Sequence, residues 1–308
     1  MPVPVFAHPR CLDHDPGAGH PERPARLEAV LRAVRGMSRA DARDAKCEVR
    51  EAPPASLDAL AGVHPPEYAE LLERLSAGGA AMIGQDTILN ADSWEAALAG
   101  LGQILAAVEH AHAGKGNAFA AVRPPGHHAL ASQAMGFCLL ANAVLAARHA
   151  QRLCRARIMI VDWDVHHGNG TQALIEHDPS IRFVSLHQWP WYPGTGAAQE
   201  RGVGNVFNVP RPAGLAPTGP GGYVESLWGW IEVAGKEWSP DLILISAGYD
   251  SMLGDPLGGF TLEPEHYAQW VTRLRERYPT VPIVGLMEGG YNPERLAAGV
   301  VATVAAMA

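Results

Sequence analysis

Residues 158–170 read IMIVDWDVHHGNG. Residues 158–161 form an unbroken apolar run rich in β-branched side chains, the make-up of a strand buried on both faces. Asp162, Asp164 and His166 follow at every second position. In extended backbone alternate side chains share a face, so two carboxylates and an imidazole are expected to leave the strand end together. Gly168 and Gly170 then let the chain turn tightly. Carboxylate oxygen with imidazole nitrogen is a mixed donor set that suits zinc or another first-row divalent ion. A capping aspartate would explain one Asp-x-Asp, but not the whole run after an apolar strand.

Four further runs share this make-up and its sequel. AFAAV (118–122) leads into RPPGHHA, and IRFVSL (181–186) into HQWPWYPGTG. DLILIS (241–246) leads into AGYDSMLGDPLGG, and VPIVGLM (281–287) into EGGYN. Continuous apolar strands separated by helix-length segments predict an α/β fold, its mostly parallel sheet covered on both faces. In all five cases a polar, glycine-rich cluster follows the strand, at the edge where open α/β sheets hold ligands. Helices are expected from Pro24 through Leu27, Val30, Leu31 and Val34, over 65–76 with Gly78-Gly79 as the stop, and from a cap at Asp92 or Ser93 to about residue 113. Residues 1–24, with six prolines, read as irregular, and 36–66 as mixed. No repeat or linker interrupts 1–308, which predicts one domain.

Composition narrows the class. The 308 residues are 47% hydrophobic and 18% charged, which excludes a disordered chain. A formal net charge of −8 argues against a nucleic-acid-binding surface. Cys11, Cys47, Cys138 and Cys154 form no C-x-x-C pair, so a reduced, cytoplasmic setting is expected. No basic and apolar leader opens the sequence, and no apolar run reaches the roughly 20 residues of a membrane helix. The apolar tail 296–308 predicts a packed terminal helix or a subunit contact, the second giving a homo-oligomer.

Chemistry concentrates in the clusters. Asp250 and Asp255 both qualify as a third metal ligand. Asp255, between Gly254 and Pro256, is the better candidate because a sharply turned loop fixes its direction. Three protein ligands leave a position for water, as catalytic zinc requires. His127 and His128 suit a general base and acid, with Asp162 the natural partner of one. Tyr291, after three residues rich in glycine, can donate to a developing oxyanion. Phe137 and Tyr192 are candidate walls for an aliphatic chain. His14 and His20 read as surface or supporting residues, Asp86 as a loop acid, and Glu22, Arg23 and Arg26 as an ion pair or channel lining.

Taken together, the motifs resemble the zinc-dependent histone deacetylase and acetylpolyamine amidohydrolase superfamily. They are GHPERPAR (19–26), RPPGHHA (123–129), MGFCLLANAVLAA (135–147), VDWDVHHGNGTQ (161–172), SLHQWPWYPGTG (185–196), GYDSMLGDPLGG (248–259) and EGGYN (288–292). The resemblance implies an arginase-like three-layer sandwich with an eight-stranded sheet between helices. It implies zinc on Asp164, His166 and Asp255, and His127 paired with Asp162. It makes His128 the general base and acid, and Tyr291 the carbonyl-polarising phenol. Gly136, Phe137, Tyr192, Leu262 and Gly289 would line the acyl-lysine channel. A structural potassium ion is implied around Asp162, Asp164, His166, Ser185 and Leu186. RPPGHH and Asn169, where class I members carry Gly-Gly and Asp, resemble class II. An amide cannot stabilise an imidazolium by charge, so His128 is expected to be neutral more often than in class I. The implied substrate is an acetylated lysine or a small acetylated amine such as an acetylpolyamine. Leu262, seven residues after Asp255, speaks against the acidic gatekeeper of polyamine-selecting relatives; Glu263 and the negative charge speak for it. A ureohydrolase on the same fold would need more aspartate ligands. A non-catalytic acyl-lysine-binding module would lack one of the site residues.

Overall fold

The computed structural model describes residues 2–39, 47–79 and 81–308. The strands are β1 (Val3–Phe6), β2 (Cys47–Arg50), β3 (Ala81–Ile83), β4 (Thr87–Leu89), β5 (Ala118–Ala120), β6 (Ile158–Asp162), β7 (Ile181–Gln188), β8 (Val206–Arg211), β9 (Leu242–Ala247) and β10 (Ile283–Met287). The α-helices are α1 (Ala25–Arg39), α2 (Pro66–Ala77), α3 (Ser93–His112), α4 (Asn142–Arg152), α5 (Asn169–Ile175), α6 (Tyr223–Ala234), α7 (Pro264–Arg277) and α8 (Pro293–Met307).

Eight strands form one sheet in the order β2-β1-β5-β10-β9-β6-β7-β8, and every pairing in it is parallel. β3 and β4 make a separate antiparallel hairpin. Helices α1, α8, α7 and α6 pack side by side in one layer, and α2 to α5 form the other. This is the expected three-layer α/β sandwich. The five strands read from the sequence are the five contiguous central ones, and each is wholly buried or nearly so. Three outer strands correct the reading: β1 lies within the stretch read as irregular, β2 within 36–66, and β8 was not among the candidates. Among the described residues one buried core runs from Val3 to Met307.

The backbone beyond β6 departs from a simple alternation. The strand ends at Asp162, and Asp164 and His166 lie in a bend. Asp162 Oδ1 accepts the Asp164 N–H at 3.1 Å, and Asp164 Oδ1 accepts the His166 N–H at 2.9 Å. Successive aspartate turns, rather than extended chain, thus gather the three polar side chains. Trp163 faces the other way, stacked on Trp270 at 5.5 Å and edge-on to Tyr267 at 5.6 Å, and fixes the turn against α7. Full burial of such a ring contributes on the order of 2–3 kcal/mol.

Candidate active site

The loops after β5, β6, β7, β9 and β10 meet at one edge of the sheet, around a cleft of about 240 Å³. His128, His166 and Tyr291 line it together with Gly136, Phe137, Tyr192, Asp86, Trp191 and Leu257. The Phe137 and Tyr291 rings meet edge to face at 5.8 Å, and Tyr192 stands perpendicular to His128 at 5.2 Å. Gly136 has φ +57°, and a Cβ there would sit 2.3 Å from His128 Cδ2, so only glycine lets that loop pass the imidazole.

The histidine pair is held from behind. His127 Nδ1 lies 3.1 Å from Asp162 Oδ2, and His128 Nδ1 lies 2.7 Å from Asn169 Oδ1. An amide oxygen only accepts, so His128 Nδ1 carries the proton and Nε2 keeps its lone pair. Burial and the neighbouring His127 and His166 charges hold His128 well below the usual imidazole range. Burial works against the cation of His127 too, but Asp164 and Asp162 outweigh it and push His127 up to about 10.

Asp164, His166 and Asp250 each offer a ligand atom, and the three atoms lie within 4.8 Å of one another. His166 Nδ1 is 3.0 Å from Asp164 Oδ1 and 3.2 Å from Asp250 Oδ2. Apart from that contact, Asp250 Oδ2 is buried with no hydrogen-bond partner. Burial and the Asp164 charge push Asp250 up to about 7, and His166 is raised to about 10 by the same two carboxylates against its burial. Such a crowd of acceptors around one imidazole is what a cation would relieve. Asp255 stands beside this trio rather than in it. Its Oδ1 accepts the Leu257 N–H at 2.9 Å, and its Oδ2 the Tyr291 N–H at 2.7 Å and the Asn292 N–H at 3.3 Å.

Two expected wall residues lie elsewhere. Leu262 is fully buried behind the cleft, and Leu257 lines it instead. Gly289 is also behind, donating its N–H to Asp164 Oδ2 at 2.9 Å. Glu263 caps α7 and pairs with Arg295 at 2.6 Å, outside the cleft lining. Ser185 and Leu186 are buried on β7, where Ser185 pairs in register with Asp162. His14 faces Glu22 at 3.3 Å, and His20 packs edge-on to Phe137 at 4.7 Å. Sequence reasoning passed over Glu288, whose Oε2 accepts the N–H groups of Gly126 at 2.6 Å and His127 at 3.2 Å. The available signal was an acid ending an apolar strand at the ligand edge. A larger groove of about 610 Å³ around Leu57 and Glu73 offers no comparable chemistry. Its one imidazole, His64, is engaged at both nitrogens, by Ala131 O and the Ala141 N–H.

A neutral imidazole with a free Nε2, a second imidazole on a carboxylate, a phenol and a cluster of metal-type donors suit the hydrolysis of an amide. Known proteins sharpen that class. A family model described as the histone deacetylase domain matches residues 20–307, and the chain belongs to that family. It is 41% identical over 299 residues to the uncharacterized protein slr0245 of Synechocystis sp., covering 95% of each chain. It is 37% identical over 298 residues to the human polyamine deacetylase HDAC10, covering 92% of this chain and 44% of that protein. The crystal structure of the HDA15 HD domain superposes with a TM-score of 0.90 at 34% identity, covering 98% of this chain and 90% of that one.

Proposed function

We propose that the cleft hydrolyses the acetyl amide of an acetylated lysine side chain. The observation that carries this reading is the lining itself. Phe137 and Tyr192 flank a slender cleft that also exposes His128, His166 and Tyr291. Such walls suit an aliphatic stem. Asp86, the acid in that lining, accepts the Gly136 N–H at 3.0 Å and the Thr87 hydroxyl at 2.9 Å, both through Oδ1, so it keeps its charge, and with it the polyamine alternative tested below.

Asp164 and His166 would hold a divalent ion, zinc by resemblance, with Asp255 as third ligand. Asp255 keeps a trace of exposure and accepts the Tyr291 N–H, whereas Asp250 is wholly buried and bound to the Val165 N–H at 2.8 Å. Accepting backbone N–H groups leaves lone pairs on the Asp255 oxygens. When bound, such an ion polarises the amide carbonyl and acidifies water. His128 takes a proton at Nε2, because Nδ1 is already protonated against Asn169. His128 then returns that proton to the leaving amine, with His127, oriented by Asp162, as the second imidazole beside it. The Tyr291 hydroxyl donates to the oxygen on which charge develops. Potassium would lie where β6 and β7 bring Asp162, Ser185 and Leu186 together. The buried thiols of Cys11 and Cys138 fit a reducing, cytoplasmic compartment.

Small acetylated amines form the second reading, favoured by the match to a polyamine deacetylase. The test is kcat/KM for an acetyl-lysine peptide, N-acetylputrescine and N-acetylspermidine, side by side. The peptide is expected to lead by tenfold or more, about 1.4 kcal/mol of transition-state discrimination. A lead for either polyamine would overturn the substrate assignment.

A further inference from the structure

Glu22 lies under the site without touching the cleft. It is wholly buried and meets two wholly buried arginines. Arg123 donates to it through Nε (2.5 Å to Oε1) and Nη2 (2.6 Å to Oε2), a bidentate grip. Arg26 donates through Nη1 to Oε1 at 2.9 Å. Each arginine then reaches one catalytic loop. Arg26 donates to Gly290 O at 2.6 Å and Glu288 O at 2.5 Å, and its guanidinium stands 4.9 Å from the Tyr291 ring centroid. Arg123 begins the RPPGHH segment, where two prolines restrict the backbone before His127 and His128. Its Nη1 and Nη2 also donate to Cys11 O and His14 O, both at 2.9 Å, which ties that segment to the N-terminal loop.

Buried ion clusters of this kind add little net stability, because desolvation cancels much of the attraction. What they do fix is geometry. We propose that Glu22 is a positioning residue: through Arg26 and Arg123 its carboxylate sets the loop of Tyr291 at a fixed distance from the loop of His127 and His128. This rests on the amide-hydrolysis reading above. Shortening the Glu22 side chain by one methylene keeps the charge but slackens both arms. The phenol and the imidazoles then lose register.

Glu22→Asp therefore lowers kcat about tenfold or more, with KM for an acetyl-lysine peptide and metal content within about twofold of wild type. The effect runs through the phenol, so it disappears when Glu22→Asp is made in a Tyr291→Phe background. Arg123→Lys slackens the other arm and gives the same pattern. Thermal melting and near-ultraviolet dichroism establish that each variant is folded. A folded Glu22→Asp with wild-type kcat, or an undiminished penalty in the Tyr291→Phe background, overturns the proposal. If neither variant folds, the cluster holds the fold and the positioning role falls. Wild-type protein inactive on every acetylated amine would instead remove the proposed function.

Discussion

Asn169→Asp places a carboxylate where an amide oxygen now accepts the His128 Nδ1 proton, 2.7 Å away. In the native site burial and two neighbouring imidazoles keep His128 neutral, and Asn169 offers no charge to oppose them. Unit charges centred about 4 Å apart attract by about 4 kcal/mol at an effective dielectric of 20. At about 1.4 kcal/mol per pKa unit that is a rise of about three units for His128. It is an upper bound, because the new carboxylate is buried as well and ionises less readily. A rise of roughly one to two units follows. The sign is fixed by the proposed role: a base at His128 works only when neutral, so activity is lost as pH falls through its pKa. The acidic limb of kcat/KM therefore moves up by roughly one to two units. Below both limbs the variant is roughly 10- to 100-fold slower, and above both it is within a few-fold of wild type. The assay is kcat/KM for an acetyl-lysine peptide across the acidic limb, with metal content checked at each end. A limb that stays within a few tenths of a unit would refute His128 as the base.

Tyr291→Phe removes the proposed oxyanion donor and is expected to lower kcat by roughly 10²-fold or more, with KM little changed; near wild-type turnover takes the phenol out of the scheme. Asp164→Ala is expected to abolish both metal retention and activity, as read by elemental analysis after dialysis. Asp255→Asn and Asp250→Asn separate the two candidate third ligands. The first should lose the metal, and the second should keep it with weakened affinity; the opposite order would assign the ligand to the buried trio seen here. Gly136→Ala, which forces a Cβ to 2.3 Å from His128 Cδ2 at φ +57°, should cut kcat by 10²-fold or more, while left-handed strain costs only about 1–2 kcal/mol of stability. A variant that melts at the expected temperature yet turns over normally would show that His128 tolerates displacement.

Which strands were legible follows from where they lie. β5, β10, β9, β6 and β7 are contiguous at the sheet centre, covered on both faces, and so must be apolar at every position. β2 and β8 are edge strands, and their sequences CEVR and VFNVPR carry charge, amide and proline that a central strand would not accept. β1, VPVF, is short and sits among prolines, which masks it. The same logic runs through the site. His127, His128, Asp164, His166 and Tyr291 were readable because each follows a central strand at the ligand edge. Leu262 was misplaced because spacing from Asp255 in sequence does not fix direction in a loop: Leu253 donates its N–H to Leu262 O, and this pairing turns the side chain into the core. The Glu22–Arg26 pair, four residues apart, was open to a sequence reading as an ion pair, but Arg123 joins it across 101 residues and Arg26 reaches Gly290 across 264, and no local pattern encodes those contacts. Strand patterns reveal where chemistry is offered; the ion cluster beneath, which no periodicity encodes, decides how closely the two halves of that chemistry are held.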